Sequence, residues 1–218
     1  MAQRLRAPRA AGVAGVIFSV ILGAVILLMQ VARPAVGGDL TWVLDPSRRE
    51  AMARALALVP FAGIAFLWFI GVIRSRVGDR EDRLFATVFL GSGLLFVAML
   101  FSAAAIITAL LDIDPGKGTL SDSQLIALQH IAFELIGTFG ARMAAVFVLS
   151  VATLSLRTGA LPRWLIFIGY AVAALLLLTP PLDRWMQLVF PAWVLIVSIV
   201  ILVTSARTPD HRLEGSYI

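Results

Sequence analysis

An all-α, six-helix transmembrane bundle with both termini in the cytoplasm is the fold class the sequence predicts. Three observations carry it. Of 218 residues, 60% are hydrophobic and 14% charged, against about 45–50% and about 25% in soluble domains. The apolar residues gather into six blocks, each near the roughly 20 residues that cross a ~30 Å hydrocarbon core. Arginines flank these blocks instead of forming one basic patch. Six spans use nearly the whole chain, so residues 1–218 read as a single polytopic membrane domain. An ordinary cytosolic enzyme, a disordered tail and a nucleic-acid module are excluded.

The first span, 11–31, follows Arg4, Arg6 and Arg9. Its apolar stretch exceeds the about 7–15 residues of a signal-peptide core, and Pro34 spoils the cleavage site, so it reads as a retained helix. The second, 55–73, is preceded by Pro46-Ser47-Arg48-Arg49-Glu50, where Ser47 and Glu50 are expected to form a capping box. Pro60 should kink it. The third, 84–111, carries the packing residues Gly91-Ser92-Gly93 and Ser102. The fourth, 130–156, belongs to a helix that opens at a second capping box, Ser121 to Gln124. Pro162 sits in the first turn of the fifth, 162–179, and Thr179-Pro180-Pro181 stops it. Asp183 caps the sixth, 186–205. Trp42 and Trp185 should lie at the outer surface and Trp68 and Trp164 at the inner one, as an aromatic belt. The two halves share no internal repeat.

Orientation follows from the basic residues. With the N-terminus in the cytoplasm, the inside segments hold 11 basic residues and the outside segments 6. The Arg48–Arg49–Arg54 cluster is the main count against this solution. The chain has 18 basic and 13 acidic residues and a pI near 10.9, which in a soluble protein would point to nucleic acid. Here 17 of the basic residues are Arg, Lys117 is the lone lysine, and most flank spans. Partner expectations are therefore the lipid bilayer and either other membrane subunits or a homo-oligomer, with no nucleic acid. The expected location is the plasma membrane, crossed several times.

The fourth helix holds the candidate chemistry. From Ser121 to Leu156 it has about 35 residues and a length of roughly 50 Å. Either its outer end projects from the bilayer or it bends at Gly137 or Gly140. At about 100° per residue, His130, Glu134, Gly137, Thr138, Ala141, Arg142 and Ala145 fall within about 140°. Leu135, Ile136, Phe139, Met143, Val146 and Phe147 fall on the other side. The first stripe should face protein, and Phe139, Met143 and Phe147 should face lipid. Gly137, Ala141 and Ala145 form a small-xxx-small ladder for close helix packing. His130 and Glu134, one turn apart, read either as a proton- or cation-carrying pair or as a hydrated pair at the helix end. Arg142 lies deep in apolar sequence, where a charge costs at least ~2.5 kcal/mol, so it needs a partner. That partner is either a carboxylate or an anionic ligand. Glu134, about 12 Å away on a straight helix, and Asp112 or Asp114 from the third helix are the candidate acids. Tyr170, the one tyrosine within a span, is a candidate for a hydrogen bond across helices.

No cofactor or metal is expected. The absence of cysteine excludes disulfides, thiolate nucleophiles, iron–sulfur clusters and cysteine-based zinc sites. His130 and His211 fall on opposite membrane sides in this topology, which excludes a bis-His haem. The loop Asp112-Ile113-Asp114-Pro115-Gly116-Lys117-Gly118 fails both the calcium-loop and the P-loop patterns and reads as a turn.

The segment Leu156-Arg157-Thr158-Gly159-Ala160-Leu161-Pro162-Arg163-Trp164-Leu165 is similar to multi-pass membrane proteins of high-GC actinobacteria, in which a short basic loop and Leu-Pro-Arg-Trp-Leu open a late helix. Gly91-Ser92-Gly93-Leu94-Leu95-Phe96 resembles the same family, and the likeness covers about half the chain. That family has no assigned activity, so the resemblance implies no catalytic residue. The leading expectation is a non-enzymatic accessory or binding subunit that assembles through its helices. The alternative is a small transporter or proton-coupled carrier that uses the fourth-helix stripe. Carriers usually place polar residues on several facing helices, whereas only this helix offers charge, which favours the first reading.

Overall fold

The computed structural model describes residues 7–32, 42, 45–77, 83–113, 121–178 and 184–206. All regular structure among them is helical. We number the long helices α1 (Ala7–Ala32), α2 (Pro46–Val77), α3 (Arg83–Asp112), α4 (Asp122–Thr158), α5 (Arg163–Leu178) and α6 (Val189–Ala206), the last preceded by a 3₁₀ turn at Arg184–Leu188. Five stretches are long and apolar enough to cross a membrane, and α5, with 16 residues, is shorter. At 1.5 Å per residue α5 spans about 24 Å. The expected spans 11–31, 55–73, 84–111, 130–156, 162–179 and 186–205 each fall largely within one of these helices. Asp114, Lys117, Asp183, His211 and both chain ends lie outside the described residues.

The ends of the helices obey local chemistry. At the start of α2 the cap is Asp45, not Ser47. Its Oδ1 accepts the Ser47 hydroxyl at 2.7 Å and the Ser47 backbone N–H at 2.9 Å. Pro46 then occupies the first helical position, where no N–H is needed. A carboxylate one residue before proline thus displaces the expected Ser47–Glu50 box, and Glu50 pairs instead with Arg54 at 3.0 Å. At the start of α4, Gln124 does close its box, accepting the Ser121 backbone N–H at 2.8 Å. Gly159 ends α4 with φ 69° and donates its N–H to the Ser155 carbonyl at 2.9 Å. Only glycine adopts that conformation without strain. The helix α2 runs through Pro60 unbroken, at the cost of the Leu56 carbonyl's partner.

The core is a knot of phenylalanines. Phe18 of α1, Phe66 and Phe69 of α2, Phe89 and Phe96 of α3, Phe147 of α4 and Phe190 of α6 form one connected set of ring contacts. Centroids lie from 4.5 Å (Phe18–Phe66) to 6.5 Å (Phe18–Phe96) apart. Such pairs contribute about 0.5–1.5 kcal/mol each beyond simple burial. The helix α1 packs mainly on α2 and α6, α3 lies beside α2 and along α4, and α5 packs on the second half of α4. Buried serines follow a common rule: Ser19, Ser92, Ser150 and Ser198 donate to carbonyls of their own helices. Of the expected tryptophan belt, Trp68, Trp164 and Trp185 are exposed, but Trp42 is buried at 1%.

Close approach to α1 depends on Gly15. A Cβ there would meet the Ser198 hydroxyl of α6 and stand 2.7 Å from the nearest carbon of the Phe69 ring in α2. At Gly23, on the same helix, a Cβ meets nothing within 4 Å. Gly15→Ala should therefore lower the thermal unfolding midpoint of the detergent-solubilised protein, and Gly23→Ala should leave it unchanged or raise it slightly. Equal midpoints would contradict this packing.

The Asp45 cap gives a pH dependence. Bonds from the Ser47 hydroxyl, then from its backbone N–H, hold the Asp45 carboxyl below its ordinary range. A depressed pKa means that the carboxylate contributes stability above the unfolded-state pKa, lost as pH falls through the folded-state value. The gap in midpoint between wild type and Asp45→Ala should be full at pH 7 and shrink below about pH 4.

Candidate functional site

Helix α4 is not a continuous α-helix. Residues Leu135–Gly140 form one π-turn between Asp122–Glu134 and Ala141–Thr158. Gly140 suits this turn: a Cβ there would stand 3.0 Å from the Leu135 carbonyl oxygen. A π-turn inserts one residue, so the helix faces before and after it differ by about 100° from the uninterrupted wheel. The buried residues record that step. Before the turn they are Leu125, Gln129 and Ala132, centred near about 250° when Gly137 is at zero. After it they include Ala144, Ala145, Phe147, Val148 and Val151, centred near about 350°.

The observed faces correct two expectations. Phe147, expected to face lipid, is fully buried in the phenylalanine core, whereas Phe139 is exposed at 53% and Met143 is half-buried. His130 and Glu134, expected on the protein-facing stripe, are exposed. Of the small-residue ladder, Ala145 is buried, and Gly137 and Ala141 are half-buried.

Arg142 follows the π-turn directly and is half-buried. Its Nη1 donates to the Thr138 carbonyl, one turn back, at 2.9 Å. The described ion pairs are Asp45–Arg48 and Glu50–Arg54, so Arg142 and Glu134 do not pair within 4.0 Å. Backbone thus supplies the arginine's intrachain partner where a carboxylate was expected. The Thr138 hydroxyl is shielded and has no hydrogen-bond partner among the described residues. Together His130, Glu134 and Arg142 form a broken polar strip along the outside of the bundle. No group of three or more His, Asp or Glu among the described residues could hold a metal.

The other candidates lie apart. Tyr170 of α5 is within 3.2 Å of the Thr153 hydroxyl, a hydrogen bond across to α4. Asp112 is exposed at the end of α3, beside a cleft of ≈ 410 Å³ that Arg49 of α2 also lines. Arg49 Nη2 donates to the Leu111 carbonyl there, satisfying an otherwise unpaired helix-end acceptor. Asp114 falls outside the described residues.

Sequence reasoning missed Gln129. It is 2% exposed and accepts the indole N–H of buried Trp42 at 2.6 Å. The one available signal was a glutamine on the apolar side of the α4 wheel. The chain has no match among models of protein families, curated proteins or solved structures.

Gln129→Leu keeps the volume but leaves the Trp42 N–H without its acceptor. A buried donor left unsatisfied costs about 1–3 kcal/mol. The variant should unfold at lower temperature, with the Trp42 contribution to fluorescence shifted. Wild-type stability would show that the bond contributes nothing.

Proposed function

We propose that the chain is an accessory subunit of a membrane assembly, held to its partner by Arg142. In this reading it crosses the plasma membrane six times with both termini in the cytoplasm, as the arginine distribution favours. It belongs with the multi-pass actinobacterial proteins its late loop resembles. Among the described residues the helices are several, long and apolar, which supports the membrane placement.

One observation carries the role. Arg142 is sixteen residues from the end of α4, about 24 Å along the axis and so inside a ~30 Å core. An arginine there costs about 2.5–3.5 kcal/mol unless it is compensated. Its described contact is a single carbonyl, and a guanidinium carries five donors. It stands on a half-buried, outward position, so the complement it lacks must come from outside the chain. The fitting partner is a membrane helix with an aspartate or glutamate in the outer half of its span. The carrier alternative is less favoured, because the bundle's centre is closed by aromatic rings and its buried serines bond back to their own helices.

The test is the mass of the particle extracted from native membranes in polymer nanodiscs. Wild type should run as a complex whose second component has an acid in the outer half of its span. Arg142→Leu should run alone with an unchanged unfolding midpoint, and exchanging Arg142 and the partner's acid should restore the complex. A wild-type particle of one chain, or an Arg142→Leu complex of unchanged mass, would sink the reading.

A further inference from the structure

We propose that the cleft between the outer ends of α2 and α3 binds a zwitterion bearing a phosphate and a primary ammonium. The observation beneath this is a pair of opposite charges that face one cavity without neutralising each other. Arg49 and Asp112 both line the ≈ 410 Å³ cleft, yet no ion pair joins them within 4.0 Å. The neighbouring arginines behave differently: Arg48 pairs with Asp45 at 3.4 Å and Arg54 with Glu50 at 3.0 Å. Arg49 spends Nη2 on the Leu111 carbonyl, which ties the guanidinium to the end of α3 and leaves its other donors for an anion.

The opposite wall is built of acceptors. Thr108 gives its hydroxyl proton to the Ala104 carbonyl at 2.8 Å, so its oxygen presents lone pairs. Asp112 adds two carboxylate oxygens at the C-terminus of α3, the end of a helix dipole that favours cations. Arg49 lies in the first turn of α2, the end that favours anions. The remaining lining on α2 is apolar, from Ala53, Leu56 and Ala57. An ammonium with three N–H groups matches three acceptors, whereas a quaternary choline has no hydrogen to donate. Two sources offer this chemistry: the headgroup of phosphatidylethanolamine in the outer leaflet, and a free phosphorylated amino alcohol.

The full chain in maltoside detergent is titrated with phosphatidylethanolamine, phosphatidylcholine, phosphatidylglycerol and free phosphoethanolamine. Native mass spectrometry reads the stoichiometry, and the unfolding midpoint reads the stabilisation. Phosphatidylethanolamine should bind one per chain and raise the midpoint, with the choline and glycerol lipids about tenfold weaker. Asp112→Asn and Thr108→Val should each weaken ethanolamine binding and leave glycerol-lipid binding unchanged. Both substitutions are at exposed positions, so folding is retained. Free phosphoethanolamine binding as tightly as the lipid supports the site and assigns the soluble source. Equal affinity for the three lipids, unchanged binding by Asp112→Asn, or no binding of either ethanolamine compound overturns the proposal.

Discussion

Seven phenylalanine rings from α1, α2, α3, α4 and α6 meet at the centre of this bundle, and the remaining architecture is arranged around them. For helices apolar enough to lie in hydrocarbon, burying apolar surface there gives little net driving force, so close packing and dispersion matter most. Flat aromatic rings at edge and tilted angles fill such a space densely. They also dictate where backbones come near one another. Gly15 lets Phe69 lie against α1, and Gly93 lets Phe147 lie against α3. Serines beside the rings turn their hydroxyls into their own helices, which satisfies those hydroxyls without a polar partner on a neighbouring helix.

The π-turn in α4 joins two buried faces. Gln129 faces Trp42 before the turn, and Ala145 and Val148 are buried after it. On an uninterrupted wheel Ala145 stands about 160° and Val148 about 100° from Gln129. One inserted residue brings them round to the inner side, while His130 and Glu134 stay outward. Arg142, next along the chain, returns its guanidinium to the Thr138 carbonyl within the widened turn. Charge is thereby kept off the ring cluster and displayed on the flank of the bundle.

These relations explain what could be read from the chain alone. Helix positions were legible because hydropathy and length are local properties, and so were the box at Ser121, the Tyr170 hydrogen bond and the exposure of Phe139. The start of α2 was misassigned by two residues, since Asp45 and Ser47 are both good caps and proline decides between them. The burial of Phe147 was not legible. A wheel sorts residues into faces without saying which face turns inward, and the stripe of polar and small residues reads as the inner one. The Trp42–Gln129 bond joins residues 87 apart in sequence, a distance at which no local pattern operates. For the site, the sequence singled out Arg142 as a buried charge in need of a partner and Asp112 as a candidate acid for it. It did not reveal that backbone answers Arg142, nor that Arg49 faces Asp112 across a cleft.

The order in which the rings occur along the chain has a consequence for biogenesis. Phe18 and Phe66 are synthesised early and sit 4.5 Å apart, so α1 and α2 can pack together as soon as both have formed. Phe190, which touches Phe18, Phe66, Phe96 and Phe147, arrives only with the last helix. Until then those four rings lack their shared neighbour, so the cluster closes only when α6 packs against the helices made before it.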